Sequence, residues 1–192
     1  MEYTLAIDNT PETVAGGTGI LLLHPSTGAT DRLDTDFLST DTDAMLVIST
    51  RTTAREVKQK LEYYEVDEGS ATILDTLSVE RGYTRRQSDQ VRYASAPDDL
   101  DGIVAETEQF LKDHEGKLRV SFDSVTELIY YADEQRALEA VGDILELLGE
   151  YDAVGMFHLA QEVHDEETVA QFQALFDGVV ELGEDGTVTG DF

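Results

Sequence analysis

The sequence predicts an α/β fold in which a mostly parallel sheet is flanked by helices and closed by a C-terminal hairpin. Three observations carry this. Short apolar runs alternate with amphipathic segments from end to end, the order that βα units impose. Several of the runs are apolar without alternation, as suits strands covered on both faces. The tail from Val179 to Thr189 holds two β-prone stretches around Gly183-Glu184-Asp185-Gly186, a Gly-containing turn.

The strand candidates are Gly19 to His24, Ala44 to Ser49, Ala71 to Leu74, Leu118 to Phe122, Ala153 to Leu159 and Gly178 to Leu182, with a shorter one over Val91 to Ser95. Thr53-Ala54-Arg55-Glu56 fits a capping box and starts a helix with Val57, Leu61 and Tyr64 on one stripe. Pro97-Asp98-Asp99 opens a second helix, whose Leu100, Ile103, Val104, Thr107 and Leu111 share a face. Leu138, Val141, Leu145 and Leu148 mark a third, and Val169, Phe172 and Phe176 a fourth. No linker, repeat or low-complexity tract interrupts the 192 residues, so one domain over 1–192 is expected.

Charge narrows the functional classes. The chain carries 41 acidic and 13 basic residues, a net of −28, with four Lys and no Cys. So acidic a surface is repelled by phosphate backbones and anionic lipid, which argues against nucleic-acid and membrane partners. The composition resembles that of salt-in halophiles, where molar salt shortens the Debye length to about 3 Å and screens the acids from one another. The absence of Cys excludes disulfides and thiol catalysis. Early acids (Glu2, Asp8, Glu12) and the shortness of the Ile20–Leu23 run argue against a leader or a membrane span, so a cytoplasmic location is expected. The charge is uneven. Residues 93–192 hold 4 basic and 25 acidic residues, while the cations gather at Arg51 to Lys60 and Arg81 to Arg92.

Three ordered stretches resemble the RecA/KaiC-like ATPase superfamily. The first is Gly19-Ile20-Leu21-Leu22-Leu23-His24-Pro25-Ser26-Thr27-Gly28-Ala29-Thr30-Asp31, a strand running into a small-residue loop where that superfamily has its phosphate-binding P-loop. The second, Leu118 to Leu128, looks like the Walker B strand with its exit at Asp123-Ser124. The third runs from Ala153 through Phe176-Asp177-Gly178-Val179-Val180-Glu181-Leu182. The resemblance covers the chain from about Gly17 onward and implies a RecA-like three-layer sandwich, of the kind found in haloarchaeal KaiC-like proteins, and self-association.

The catalytic residues do not follow the resemblance. A working P-loop, G-x-x-x-x-G-K-[ST], wraps phosphates in backbone N–H groups, neutralises them with Lys and holds Mg²⁺ by a hydroxyl. Aligned here, the first Gly falls on His24, the second on Ala29, the Lys on Thr30 and the hydroxyl on Asp31. No Lys occurs before Lys58, so no shift of register restores one. The strand ending at Ser49 exits into Thr50-Arg51-Thr52-Thr53 with no carboxylate before Glu56, so the expected general base is also missing. Asp123 remains on the metal side. Ser124-Val125-Thr126-Glu127 also reads as a capping box for the next helix.

A degenerate P-loop (His24, Ser26, Thr27, Gly28, Ala29, Thr30, Asp31) implies no bound cofactor and no catalysis. The expected role is then regulatory or scaffolding, with a protein partner that could be a second copy or another RecA/KaiC-like protein. The alternative is an unconventional enzyme binding ATP and Mg²⁺, with Arg51 or the Arg81 to Arg86 cluster replacing the Lys. Arg81, Arg85 and Arg86 also offer an anion or partner surface, since guanidinium forks grip carboxylate and phosphate. His24, His114, His158 and His164 form no recognised metal spacing. Tyr63-Tyr64 and Tyr130-Tyr131 are expected to divide between core and surface.

Overall fold

A computed structural model describes residues 1–26, 29–83 and 88–192. Its backbone is a central sheet in the order β10-β9-β3-β8-β7-β4-β5-β6. The strands are β3 (Gly19–His24), β4 (Ala44–Ser49), β5 (Ala71–Asp75), β6 (Val91–Tyr93), β7 (Leu118–Asp123), β8 (Val154–Ala160), β9 (Gly178–Leu182) and β10 (Val188–Asp191). All neighbours run parallel except β9 and β10, which pair antiparallel as the tail hairpin.

Every residue of β3, β4, β7 and β8 is buried because helices cover both faces. On one face Leu21, Leu23, Leu46, Ile48, Val120, Phe122 and Phe157 pack with residues of α3 (Leu100–Asp113), α4 (Val125–Tyr131), α5 (Glu134–Glu150) and α6 (Glu166–Gln173). On the other, Ile20, Leu22, Met45, Val47 and Met156 pack with α1 (Asp31–Ser39) and α2 (Ala54–Tyr63). The result is the expected three-layer arrangement.

Chain order and sheet order differ in a way that creates a site. The chain leaves β3, passes over the places later taken by β8 and β7, and pairs β4 beside β7. β3 is thereby flanked by β8 and β9, and the loops after it open at the carboxyl ends of the strands, where parallel sheets bind ligands.

Two elements go beyond the sequence reading. A separate N-terminal hairpin, β1 (Glu2–Thr4) with β2 (Thr13–Ala15), joins the second face. Tyr3 is fully buried there; its hydroxyl donates to the Asp152 carbonyl at 2.7 Å and accepts from Leu118 N–H at 3.1 Å. Helix α1 follows the β3 loop at once, starting at Asp31. The capping box of α2 is present, with Thr53 N–H donating to Glu56 Oε2 at 2.7 Å. At α4 the expectation is corrected: the Ser124 hydroxyl donates to the Glu127 carboxylate rather than accepting a backbone N–H. Tyr63 points outward while Tyr64 packs on the core, as expected of a divided pair, but Tyr130 and Tyr131 are both exposed, since α4 buries Val125 and Leu128 instead.

Candidate functional site

The candidate site is a buried charge network at the carboxyl ends of β3, β7 and β8, roofed by α1 and α2. Strand β7 builds its floor. Arg119, Ser121 and Asp123 alternate with Val120 and Phe122, so the pleat sends all three polar side chains to the α1–α2 face. His158 of β8 and His24 of β3 point to the same side as their apolar neighbours Met156 and Leu22. From above, Asp34 sits on the core stripe of α1 with Phe37 and Leu38, at i, i+3 and i+4.

Asp34 is fully buried and fully engaged. Its Oδ1 accepts from Ser121 Oγ at 2.6 Å and from His158 Nε2 at 2.9 Å, and its Oδ2 accepts from Lys60 Nζ at 3.0 Å. Burial alone would raise this carboxyl, but the cations of Lys60 and His158, with the Ser121 hydroxyl, hold it far below the usual range. The same exchange raises Lys60, where burial opposes and Asp34 prevails. His158 is raised as well: its burial is outweighed by Asp34 on one side and Asp123 on the other, the latter 3.8 Å from Nδ1.

Asp123 is held a second time. Arg51, in the segment after β4, donates Nε to Oδ1 at 2.9 Å and Nη2 to Oδ2 at 3.2 Å, a fork that leaves little of the carboxylate unoccupied. Burial pushes Asp123 up, but His158 and Arg51 bring it below its ordinary value. Around this pair, hydroxyls stitch the strand ends together. Thr50 Oγ1 donates to the Ser124 carbonyl at 2.9 Å and accepts Ser124 N–H at 2.8 Å, and Ser49 Oγ donates to the Thr52 carbonyl at 2.6 Å.

The residues of the loop after β3 contribute little to this network. His24 is buried and, with Nδ1 2.8 Å from the Pro25 carbonyl, is left with an unpartnered Nε2; burial lowers its pKa. Ser26 is exposed and donates to Glu162 at 3.3 Å, Ala29 is exposed, Thr30 is buried and Asp31 is half-buried at the start of α1. Thr27 and Gly28 lie outside the described residues. His164 turns away to Thr126 at 3.1 Å, so it shares no site with His158. Arg81 lies elsewhere, beside β5, and Arg85 and Arg86 fall outside the described residues.

Asp34, Lys60, Ser121 and His158 were not legible as site residues. One signal existed: three polar residues at alternate positions of an apolar strand, and an Asp on an apolar helix stripe.

The full length of the chain, residues 1–192, matches a family of unknown function, DUF7090. The chain belongs to that family. No curated protein matches this DUF7090 chain in sequence. Its fold, however, is shared with solved structures. A prototypical ATPase from the type III secretion system of pathogenic bacteria superposes with a TM-score of 0.64 at 12% identity, over 96% of this chain and 57% of that one. The chain thus spans little more than half of that ATPase. A KaiC-like protein from the hyperthermophilic archaeon Pyrococcus horikoshii gives 0.63 at 13% identity, over 96% and 82%. An uncharacterised protein from the same organism, solved with an unknown peptide, gives 0.62 at 15% identity, over 91% and 82%. At these identities the likeness establishes the RecA/KaiC-like fold and nothing about activity.

Proposed function

We propose that this chain is a RecA/KaiC-like domain that neither holds nor cleaves ATP and acts as a regulatory or scaffold protein through protein contacts. The observation that carries this is the internal pairing of the charges at the strand ends. Asp34 is matched by Lys60 and His158, and Asp123 by Arg51. A nucleotide-dependent enzyme needs cations aimed at phosphate and a carboxylate open to metal and water; here Lys60 and Arg51 are committed to carboxylates of the same chain. The pairing also weakens the alternative in which Arg51 replaces the P-loop Lys, because taking Arg51 from Asp123 would strand a buried carboxylate. The loop residues Ala29, Thr30 and Asp31 supply no cation of their own. In this reading the P-loop is degenerate, and the acidic surface reflects a salt-rich, haloarchaeal-type cytosol.

The test is a thermal-shift titration with ATP, ADP and Mg²⁺ in concentrated KCl against a salt-matched control. A specific ligand at about 100 times its Kd stabilises a fold by about 2.7 kcal/mol. No shift at millimolar nucleotide is the expected result. A Mg²⁺-dependent shift that Asp123→Asn abolishes overturns the reading. Light scattering of the same samples then reports whether the chain assembles with itself.

A further inference from the structure

A second polar feature lies further along the same carboxyl edge, around Asp75, the last residue of β5, which flanks Ser49 of β4 on the side opposite Asp123. Asp75 is fully buried and accepts four hydrogen bonds. Leu77 N–H and Ser78 N–H reach Oδ1 at 2.8 and 2.9 Å; Ala54 N–H and the Ser78 hydroxyl reach Oδ2 at 2.8 and 2.6 Å. One carboxylate thereby clamps the loop after β5 to the first turn of α2. The loop closes on itself through Arg81 N–H to the Leu77 carbonyl at 3.1 Å and Tyr83 N–H to the Ser78 carbonyl at 2.9 Å.

Between the clamped walls is a cleft of about 680 Å³, lined by Thr53, Arg55, Gln59, Arg81, Tyr83 and Tyr93 among others. That volume is typical of small-molecule sites. Its two carboxylates are already committed: Asp75 to the clamp, and Glu56 to Thr53, whose N–H and hydroxyl it accepts at 2.7 and 3.2 Å. Arg55 and Arg81 form no ion pair among the described residues, whereas Arg51, Lys60, Arg92, Lys112 and Lys117 all do. Lys58, Arg119 and Arg136 form none there either, but Arg55 and Arg81 are two unneutralised guanidinium groups that line the same cleft.

We propose that this cleft binds a small organic anion, with Arg55 and Arg81 gripping its carboxylate or phosphate and the phenol rings of Tyr83 and Tyr93 meeting its organic part. Guanidinium forks match both oxyanions bidentately, and aromatic walls cover planar or aliphatic carbon. The site is separate from the buried network, since none of His24, Asp34, Asp123 or His158 lines it. The proposal stands whether or not the non-catalytic reading does.

The experiment is an NMR titration of the labelled chain at constant KCl, with phenyl phosphate in one series and citrate in the other. Saturable shifts of the Arg55 and Arg81 side-chain N–H groups and the Tyr83 and Tyr93 rings are expected in at least one series; which probe binds more tightly separates phosphate from carboxylate. Both arginines are exposed, so Arg55→Gln and Arg81→Gln should keep the wild-type Tm while weakening binding at least tenfold, and Arg81→Lys should recover part of the loss. Absence of saturable shifts with both probes overturns the proposal. So does a Kd unchanged in both Gln variants, or a response to an acidic peptide alone, which would make the cleft a protein-docking surface. The same variants protect the nucleotide test: an ATP-induced shift lost in Arg81→Gln belongs to this cleft, and one that persists belongs to the β3 loop.

Discussion

Lys60 Nζ lies 3.0 Å from Asp34 Oδ2, joining α2 to α1 beneath the sheet's carboxyl edge. Lys60 is one of only four lysines in the chain, and it is turned inward to an Asp that no solvent reaches. The ammonium closest to the β3 loop in sequence terms, after Lys58, is therefore a structural cation. Its loss should be felt in the fold before it is felt in any ligand.

Asp34→Ala is expected to destabilise the protein by about 3–5 kcal/mol, because it leaves Lys60 and His158 buried without their counter-charge. Asp34→Leu combined with Lys60→Met should cost much less than the sum of the single variants, since the pair is then replaced by apolar groups. Urea denaturation in constant KCl, analysed as a double-mutant cycle, measures both. Additive losses would contradict the coupling.

His158 should give the fold a pH dependence on the alkaline side. Its native pKa is raised above the ordinary value of about 6.5. The stability from its charged form is therefore complete below about pH 6.5 and is lost as pH rises through the native value. Asp34 and Asp123, both lowered, contribute in the reverse sense: fully above about pH 4, and progressively lost as pH falls below it. His24, lowered by burial, opposes His158 by weakening the fold below about pH 6.5. Groups facing His158 come from α1 (Asp34), α2 (Lys60), β7 (Asp123, itself paired with Arg51) and β3 (His24). Comparing Tm across pH 5 to 9 for wild type and His158→Gln isolates the one histidine; an unchanged alkaline slope in the variant would sink the assignment.

Asp75→Ala should cost at least about 3 kcal/mol, because three buried N–H groups and a hydroxyl lose their acceptor together. Hydrogen exchange should then rise at Leu77 and Ser78, and the cleft should lose its anion response. Asp75→Asn keeps the shape but replaces one acceptor oxygen by a donor facing donors, so it should lie between wild type and Ala.

Lowering KCl from molar to about 50 mM should reduce Tm. The Debye length grows from about 3 Å to beyond 10 Å, and repulsion among 41 acids is no longer screened. A Tm independent of salt would remove the halophilic reading of the composition.

Much of the architecture was readable from local pattern. Gly19 to His24 and Ala44 to Ser49 are apolar up to their last residue and appear as strands with those bounds. Leu100, Ile103 and Leu111 share a stripe and bury it. The N-terminal hairpin was not read, because Glu2–Thr4 and Thr13–Ala15 are three residues each and gain their order from Tyr3 and from Arg119, whose Nη2 donates to the Thr4 carbonyl at 2.7 Å. The exposed Tyr130–Tyr131 pair departs from the expectation because α4 has only seven residues and turns Val125, Leu128 and Ile129 to the core, leaving its last two side chains outside.

The candidate site divides the same way. That the β3 loop has no lysine, and that the segment after β4 has no carboxylate, are properties of the linear sequence; backbone geometry cannot supply missing functional groups. Which charges meet was decided only by tertiary structure. Asp34 and His158 are 124 residues apart, and Arg51 and Asp123 are 72 apart; nothing local encodes either pairing. Each follows from a strand order that sets β3 beside β8 and β7 beside β4, and from the high cost of burying a charge unless another is buried with it.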